Sequence, residues 1–242
     1  MTTIAAIPEL PTNPEELDRY YGEPPDGVRA NMIMTADGAG AFAGRTKPIT
    51  DDADQVLLRY LRNHADAVMI GSATVQAEHY GPVRLSEEEQ ATRRAAGHAP
   101  LPPLVIVTAR ALLPTSLRVF HGEGPRPIVA TTSRSAATIG DLREVADVIA
   151  VGDADIEPET LLATLRDRGL SRILCEGGPY LLSTLVERDL VDDMCLTVSP
   201  YLAGSQPTTP QPPSALEAPS ALALRHVLRH DDLLYLRYTR RH

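Results

Sequence analysis

Apolar residues along this 242-residue chain follow two rhythms that alternate from one segment to the next. Val28, Ala30, Met32 and Met34 alternate with Arg29, Asn31 and Ile33, which predicts a strand over Val28–Met34. The next rhythm is helical. Val56 and Tyr60, and Leu57 and Leu61, are spaced i, i+4, and Thr50-Asp51-Asp52 supplies a helix start. A helix over about Asp52–His64 follows. Ala67-Val68-Met69-Ile70 is apolar without a break, as in a central strand covered on both faces, and places a strand over Asp66–Gly71. The pattern repeats downstream. It predicts strands over Pro103–Thr108, Pro127–Thr132, Asp147–Val151, Arg172–Cys175 and Asp193–Ser199. Helices are expected over about Ser135–Ala146, Pro158–Gly169 and Gly178–Asp189. Ser86–Pro103 is charged and then proline-rich, and reads as a solvent-facing insertion. Ala221–Arg229 and Leu233–Arg240 flank His230-Asp231-Asp232 and read as a hairpin.

Strands alternating with helices give an α/β fold: a mostly parallel central sheet flanked by helices, closed by a C-terminal antiparallel hairpin. Residues 1–26 are expected to be an irregular or briefly helical lead-in, and 27–242 one domain. The loop 205–219 carries Pro207, Pro210, Pro212, Pro213 and Pro219, which excludes a helix or a central strand there. It is not read as a linker, because two short strands beyond it cannot stand alone.

Composition narrows the function. A net charge of −9 argues against nucleic acid or an anionic membrane as partner, since both need a basic surface. No apolar run approaches the roughly 18 residues of a membrane span. Met1–Pro14 lacks the basic and apolar regions of a signal peptide. Cys175 and Cys195 lie in predicted strands and read as core thiols, which fits a reducing cytoplasm. His64, His79 and His98 have no metal-type spacing, so no metal is expected.

The candidate chemistry sits at strand ends, where open α/β sheets gather ligands. The run Glu176-Gly177-Gly178-Pro179 joins a strand to a helix with its side chains stripped away. Glycine lets backbone N–H groups approach a ligand, and a helix N-terminus favours a phosphate. Pro179 suits the first helical position. A tight turn without a ligand would look the same. Thr35-Ala36-Asp37-Gly38 and Gly71-Ser72-Ala73-Thr74 end two other strands. Thr74 can donate to a phosphate or merely cap a helix; Glu78 can accept from ribose hydroxyls or merely face solvent. Arg62 and Arg84 carry guanidinium forks suited to phosphate, although Arg62 also complements a helix C-terminus. Asp51, Asp52 and Asp54 crowd a helix start; Asp54, one turn in, is kept as a functional candidate.

Four motifs in order then carry a resemblance: Asn31–Gly38, Leu61–Val75, Glu176–Pro179 and Leu190–Asp193. Over roughly Val28–Gly204 the chain resembles the pyrimidine reductases of riboflavin biosynthesis, in their stand-alone actinobacterial form. The resemblance implies a dihydrofolate-reductase-like fold, NADPH as cofactor, a phosphorylated pyrimidine as substrate and a homodimer. It implies that the ribosyl group of a ribosylamino-pyrimidine 5′-phosphate is reduced to ribityl. By the same resemblance Thr74, Glu78, Gly177, Gly178, Pro179 and the helix start with Leu181 and Leu182 hold the cofactor. Asn31, Thr46, Arg62 and Arg84 hold the substrate. Glu176 matches the family's glutamate near the reacting sugar, and Asp54, kept from its place one turn into the helix, is the second catalytic candidate, suited to reading the pyrimidine's amino groups. Asn31 stands where bifunctional bacterial members carry lysine, and the deaminase motif is missing. Two alternatives stay open: a pterin reductase such as one acting on dihydrofolate, with Asp54 reading the pterin, and an NADPH-binding module without catalysis.

Overall fold

A computed structural model describes residues 6–22, 24–206 and 216–241. Within the lead-in, Asn13 Oδ1 accepts from Glu16 N at 2.9 Å and Pro14 follows the cap. The lead-in thus takes the brief helical form, α1 (Pro14–Tyr21), and Leu17 and Tyr21 are buried. Strand β1 (Gly27–Thr35) leads to α2 (Asp52–Asn63), which Asp51 caps by accepting from Asp54 N at 2.7 Å. Strand β2 (Ala67–Gly71) runs directly into α3 (Ser72–Ala77).

The expected insertion Ser86–Pro103 contains α4 (Glu87–Ala95), started by a capping box between Ser86 and Glu89. It is not simply solvent-facing. Arg93 is buried and donates to the carbonyls of Ala65 and Ala99, both at 2.8 Å, which pins α4 beyond the end of α2. After β3 (Leu104–Val107) and β4 (Ile128–Thr131), the single helix expected over Ser135–Ala146 is two short ones, α5 (Ser133–Ala136) and α6 (Leu142–Val145). The intervening Thr138-Ile139-Gly140 combines β-branched residues with glycine, all weak helix formers. The chain continues through β5 (Asp147–Ala150), α7 (Pro158–Asp167), β6 (Arg172–Cys175), α8 (Pro179–Glu187), β7 (Asp193–Ser199), β8 (Leu222–His230) and β9 (Leu233–Arg240). Of the Pro-rich stretch 205–219, residues 207–215 lie outside the described residues.

The strands form one sheet in the order β5-β4-β3-β2-β6-β1-β7-β9-β8. Pairings from β5 to β7 are parallel, and β9 pairs antiparallel with β7 and β8. The expected α/β class and terminal hairpin are both present. Val68, Ile70, Ile106 and Leu174 pack one face against Leu17, Leu57 and Leu61. Ala67, Met69, Val105 and Cys175 pack the other against Leu161, Leu165, Leu181 and Leu185. Burial on both faces is why β2 reads as an unbroken apolar run.

A charged knot joins α1 to the sheet. Asp193 is 1% exposed and accepts from Arg29 and Arg237, each within 2.8 Å. Arg29 also donates to the Tyr21 carbonyl at 2.8 Å. Buried charges persist only when paired in this way.

Candidate active site

Strands β2, β6 and β1 are neighbours, so the three suspected strand ends meet at one edge of the sheet. The β6 end is tied in place by backbone bonds: Glu176 N donates to Met69 O at 2.9 Å, and Gly71 N to Gly177 O at 2.7 Å. Glycine is required at both following positions. Gly177 has φ +81°, and a Cβ there would meet Met32 Sδ at 3.3 Å. A Cβ on Gly178 would lie 2.4 Å from Thr74 Oγ1. Thr74 therefore stands directly over the Gly178 backbone, at the N-terminus of α8. Pro179 is the first residue of that helix. The first-turn amides of Tyr180 and Leu181 have no intrahelical acceptor. The Leu181 side chain points into the core, Leu182 packs against the same core, and Leu182 N is used by Gly178 O at 3.0 Å. Neither leucine side chain is a free contact, so what Leu181 offers a ligand is its backbone.

Glu176 is almost fully covered, its side chain 4% exposed. Arg62, in the last turn of α2, grips it with a fork: Nε to Oε1 at 2.6 Å and Nη2 to Oε2 at 2.7 Å. Tyr80 donates its hydroxyl to Oε2 at 2.6 Å. Burial, reinforced by the Glu176 charge, pushes the Tyr80 hydroxyl well above the usual tyrosine range. Arg62, expected on a phosphate, thus spends one edge on a carboxylate. Its Nη1 takes part in neither of these bonds. Arg84 is exposed between buried Val83 and Leu85 and makes no hydrogen bond or ion pair among the described residues.

Asp54 is buried at the other end of α2, where Thr50 donates to Oδ2 at 2.6 Å and Thr197 to Oδ1 at 2.8 Å. Burial raises its carboxyl above the ordinary value, against the two hydroxyl bonds that lower it. Asn31 lies on β1 beside Cys195 of β7, one position past the last pairing with β6. Its Oδ1 is buried and accepts no hydrogen bond among the described residues. A buried acceptor without a donor is costly, and a ligand N–H would satisfy it. Glu78 ends α3 and accepts from Thr46 N at 2.6 Å, which anchors the glycine-rich loop after β1.

Sequence reasoning missed Tyr80, Thr50 and Thr197. Thr197 shares a β7 face with Asp193, Cys195 and Ser199, a mostly polar set that alternation alone would turn outward; Tyr80 lies in a loop with no periodicity to flag it. Among the described residues no group of three or more His, Cys, Asp or Glu side chains is placed to hold a metal ion. No helix among them is long and apolar enough to cross a membrane.

Residues 27–232 match the sequence model of the RibD C-terminal domain. The 2,5-diamino-6-ribosylamino-4(3H)-pyrimidinone 5′-phosphate reductase of Archaeoglobus fulgidus is 27% identical over 180 residues, 74% of this chain and 82% of that protein. Its namesake from Methanothermobacter thermautotrophicus is 29% identical over 181 residues, 74% of this chain and 80% of that protein. Among solved structures, a pyrimidine reductase-like protein from Corynebacterium diphtheriae is similar in fold, with a TM-score of 0.79 at 24% identity over 93% of this chain and 98% of that one.

Proposed function

This chain belongs to the RibD C-terminal domain family, an oxidoreductase family, and we propose that it is an NADPH-dependent pyrimidine reductase of riboflavin biosynthesis. The reaction is reduction of the ribosyl group of a ribosylamino-pyrimidinone 5′-phosphate to ribityl. One observation carries this reading: the side-chain-free junction at Gly177–Gly178, with Thr74 over it, adjoins the Glu176–Arg62 pair. A cofactor cradle and a sugar-binding carboxylate are thus side by side.

The side-chain-free junction and the unpaired first-turn amides of α8 suit a diphosphate. Thr74, Gly177, Gly178, Pro179 and the first amides of α8 would hold the cofactor, with Glu78 nearby for ribose hydroxyls. When bound, the reduced nicotinamide supplies hydride to C1′ of the sugar. Glu176 accepts from the sugar hydroxyls and orients the opened chain. Arg84 and the outer nitrogen of Arg62 hold the 5′-phosphate, while the Thr46 loop lies against the substrate. Asn31 Oδ1 accepts from an amino group of the pyrimidine, and Asp54 closes that end of the site.

Residues 27–242 act as one reductase unit, and the buried thiols Cys175 and Cys195 suit a reducing cytoplasm. A homodimer is supported by one sheet face. Leu196, Leu236 and Val227 form a row across β7, β9 and β8, beside Tyr238 and exposed Leu224. None of these packs against either core cluster. A second copy covering this row predicts a dimer mass in light scattering, and Leu236→Glu would shift it to monomer.

The activity test mixes the protein with NADPH and the diamino pyrimidine phosphate, its deaminated form, or dihydrofolate, and follows loss of reduced-nicotinamide absorbance. Turnover with a pyrimidine is expected. Turnover with dihydrofolate alone, or none with any of the three, would overturn the proposal.

A further inference from the structure

Tyr80 has no part in the chemistry assigned so far, yet it makes one of the shortest contacts to Glu176. Its loop is anchored where Tyr80 N donates to Val75 O at 3.0 Å. Its hydroxyl reaches Glu176 Oε2 at 2.6 Å and lies 3.4 Å from Arg62 Nη2. The Arg62 guanidinium carbon sits 5.8 Å from the Tyr80 ring centroid. The three side chains therefore close a triangle around one carboxylate. The Arg62 fork fixes the plane of that carboxylate but places one donor on each oxygen, leaving the oxygens equivalent. Tyr80 breaks the symmetry. Oε2 has both lone pairs engaged, and Oε1 keeps one to spare.

We propose that Tyr80 is a positioning residue: by saturating Oε2 of Glu176 it leaves Oε1 as the single acceptor for a sugar hydroxyl of the substrate. The role rests on the reductase reading above. Burial and the adjacent carboxylate hold the Tyr80 proton firmly, so Tyr80 acts as a fixed donor and not as an acid.

A double-mutant cycle tests this, with Tyr80→Phe, Glu176→Gln and the pair, each assayed for kcat, for KM of both substrates and for NADPH binding. Tyr80→Phe keeps the ring and removes only the hydroxyl. It is expected to lower kcat about tenfold, in line with a hydrogen bond to a charged group, with NADPH affinity unchanged and the melting temperature lowered by only about 2–6 °C. In the Glu176→Gln background the same change is expected to cost less than about twofold, because Tyr80 acts through that carboxylate. An equal loss in both backgrounds, or a wild-type kcat in Tyr80→Phe, would overturn the role while leaving the reductase reading intact. A wild-type protein that binds NADPH but reduces no phosphorylated pyrimidine would overturn both.

Discussion

Replacing Arg62 by alanine separates a structural arginine from one that only binds substrate. In the folded protein Glu176 is 4% exposed and takes three close donors, of which Arg62 provides two. Arg62→Ala leaves that carboxylate buried with Tyr80 alone. Breaking a buried pair from one side costs roughly 3–5 kcal/mol. Arg62 is itself 18% exposed, so some water reaches the pair and the low end, about 3 kcal/mol, is the appropriate figure. Against a total of about 5–15 kcal/mol that is a large loss. An arginine gripping only the substrate phosphate would give no such loss, and would raise KM alone. The assay is urea unfolding followed by circular dichroism on wild type, Arg62→Ala, Arg62→Lys and Arg84→Ala. Arg62→Lys keeps the charge but not the fork, and should fall between wild type and Arg62→Ala. An Arg62→Ala protein within about 0.5 kcal/mol of wild type, the scale of an ordinary exposed ion pair, would refute the argument.

Arg84→Ala should leave stability unchanged and raise KM for the phosphorylated substrate about 10–150-fold, as expected for one charge-assisted bond; equal KM values with and without the phosphate would exclude the contact. Gly178→Ala sets a Cβ 2.4 Å from Thr74 Oγ1, so Thr74 must turn away; NADPH affinity measured by fluorescence titration should drop at least about tenfold, with about 1–3 kcal/mol lost from stability. Unaltered affinity would detach the cradle from the cofactor. His226, stacked edge-on against Tyr20 and Tyr21 at 5.4 and 4.9 Å, is pulled down to about 4 by burial and the nearby arginines. The unfolded chain then takes up a proton below about pH 6.5 that the folded one refuses until about pH 4. Stability is therefore full above pH 6.5 and declines as pH falls across that window, by about 1–2 kcal/mol once partial solvent contact is allowed for. His226→Gln should flatten the decline in unfolding midpoints, and a slope identical to wild type would show that other groups cause it.

The sequence by itself determined the elements whose periodicity is local. The Arg172–Cys175, Asp193–Ser199 and Leu233–Arg240 strands lie where their short apolar runs put them, and the first hairpin strand is displaced by one residue, because a run of strand-forming side chains bounded by turn residues is a local property of the chain. It failed where a weak local signal was overruled: Ser86–Pro103 carries a helix, and Arg93 fastens that helix to carbonyls far along the chain. It also marked Glu176, Thr74 and Arg62 as residues of interest without saying what they touch. Only the crossing order β2-β6-β1 brought those ends together, and only the fold turned Arg62 and Tyr80 onto one carboxylate. The reason is range. A period of two or 3.6 residues is encoded between near neighbours, whereas the Arg62–Glu176 contact spans 114 residues and exists only after the sheet has chosen its strand order.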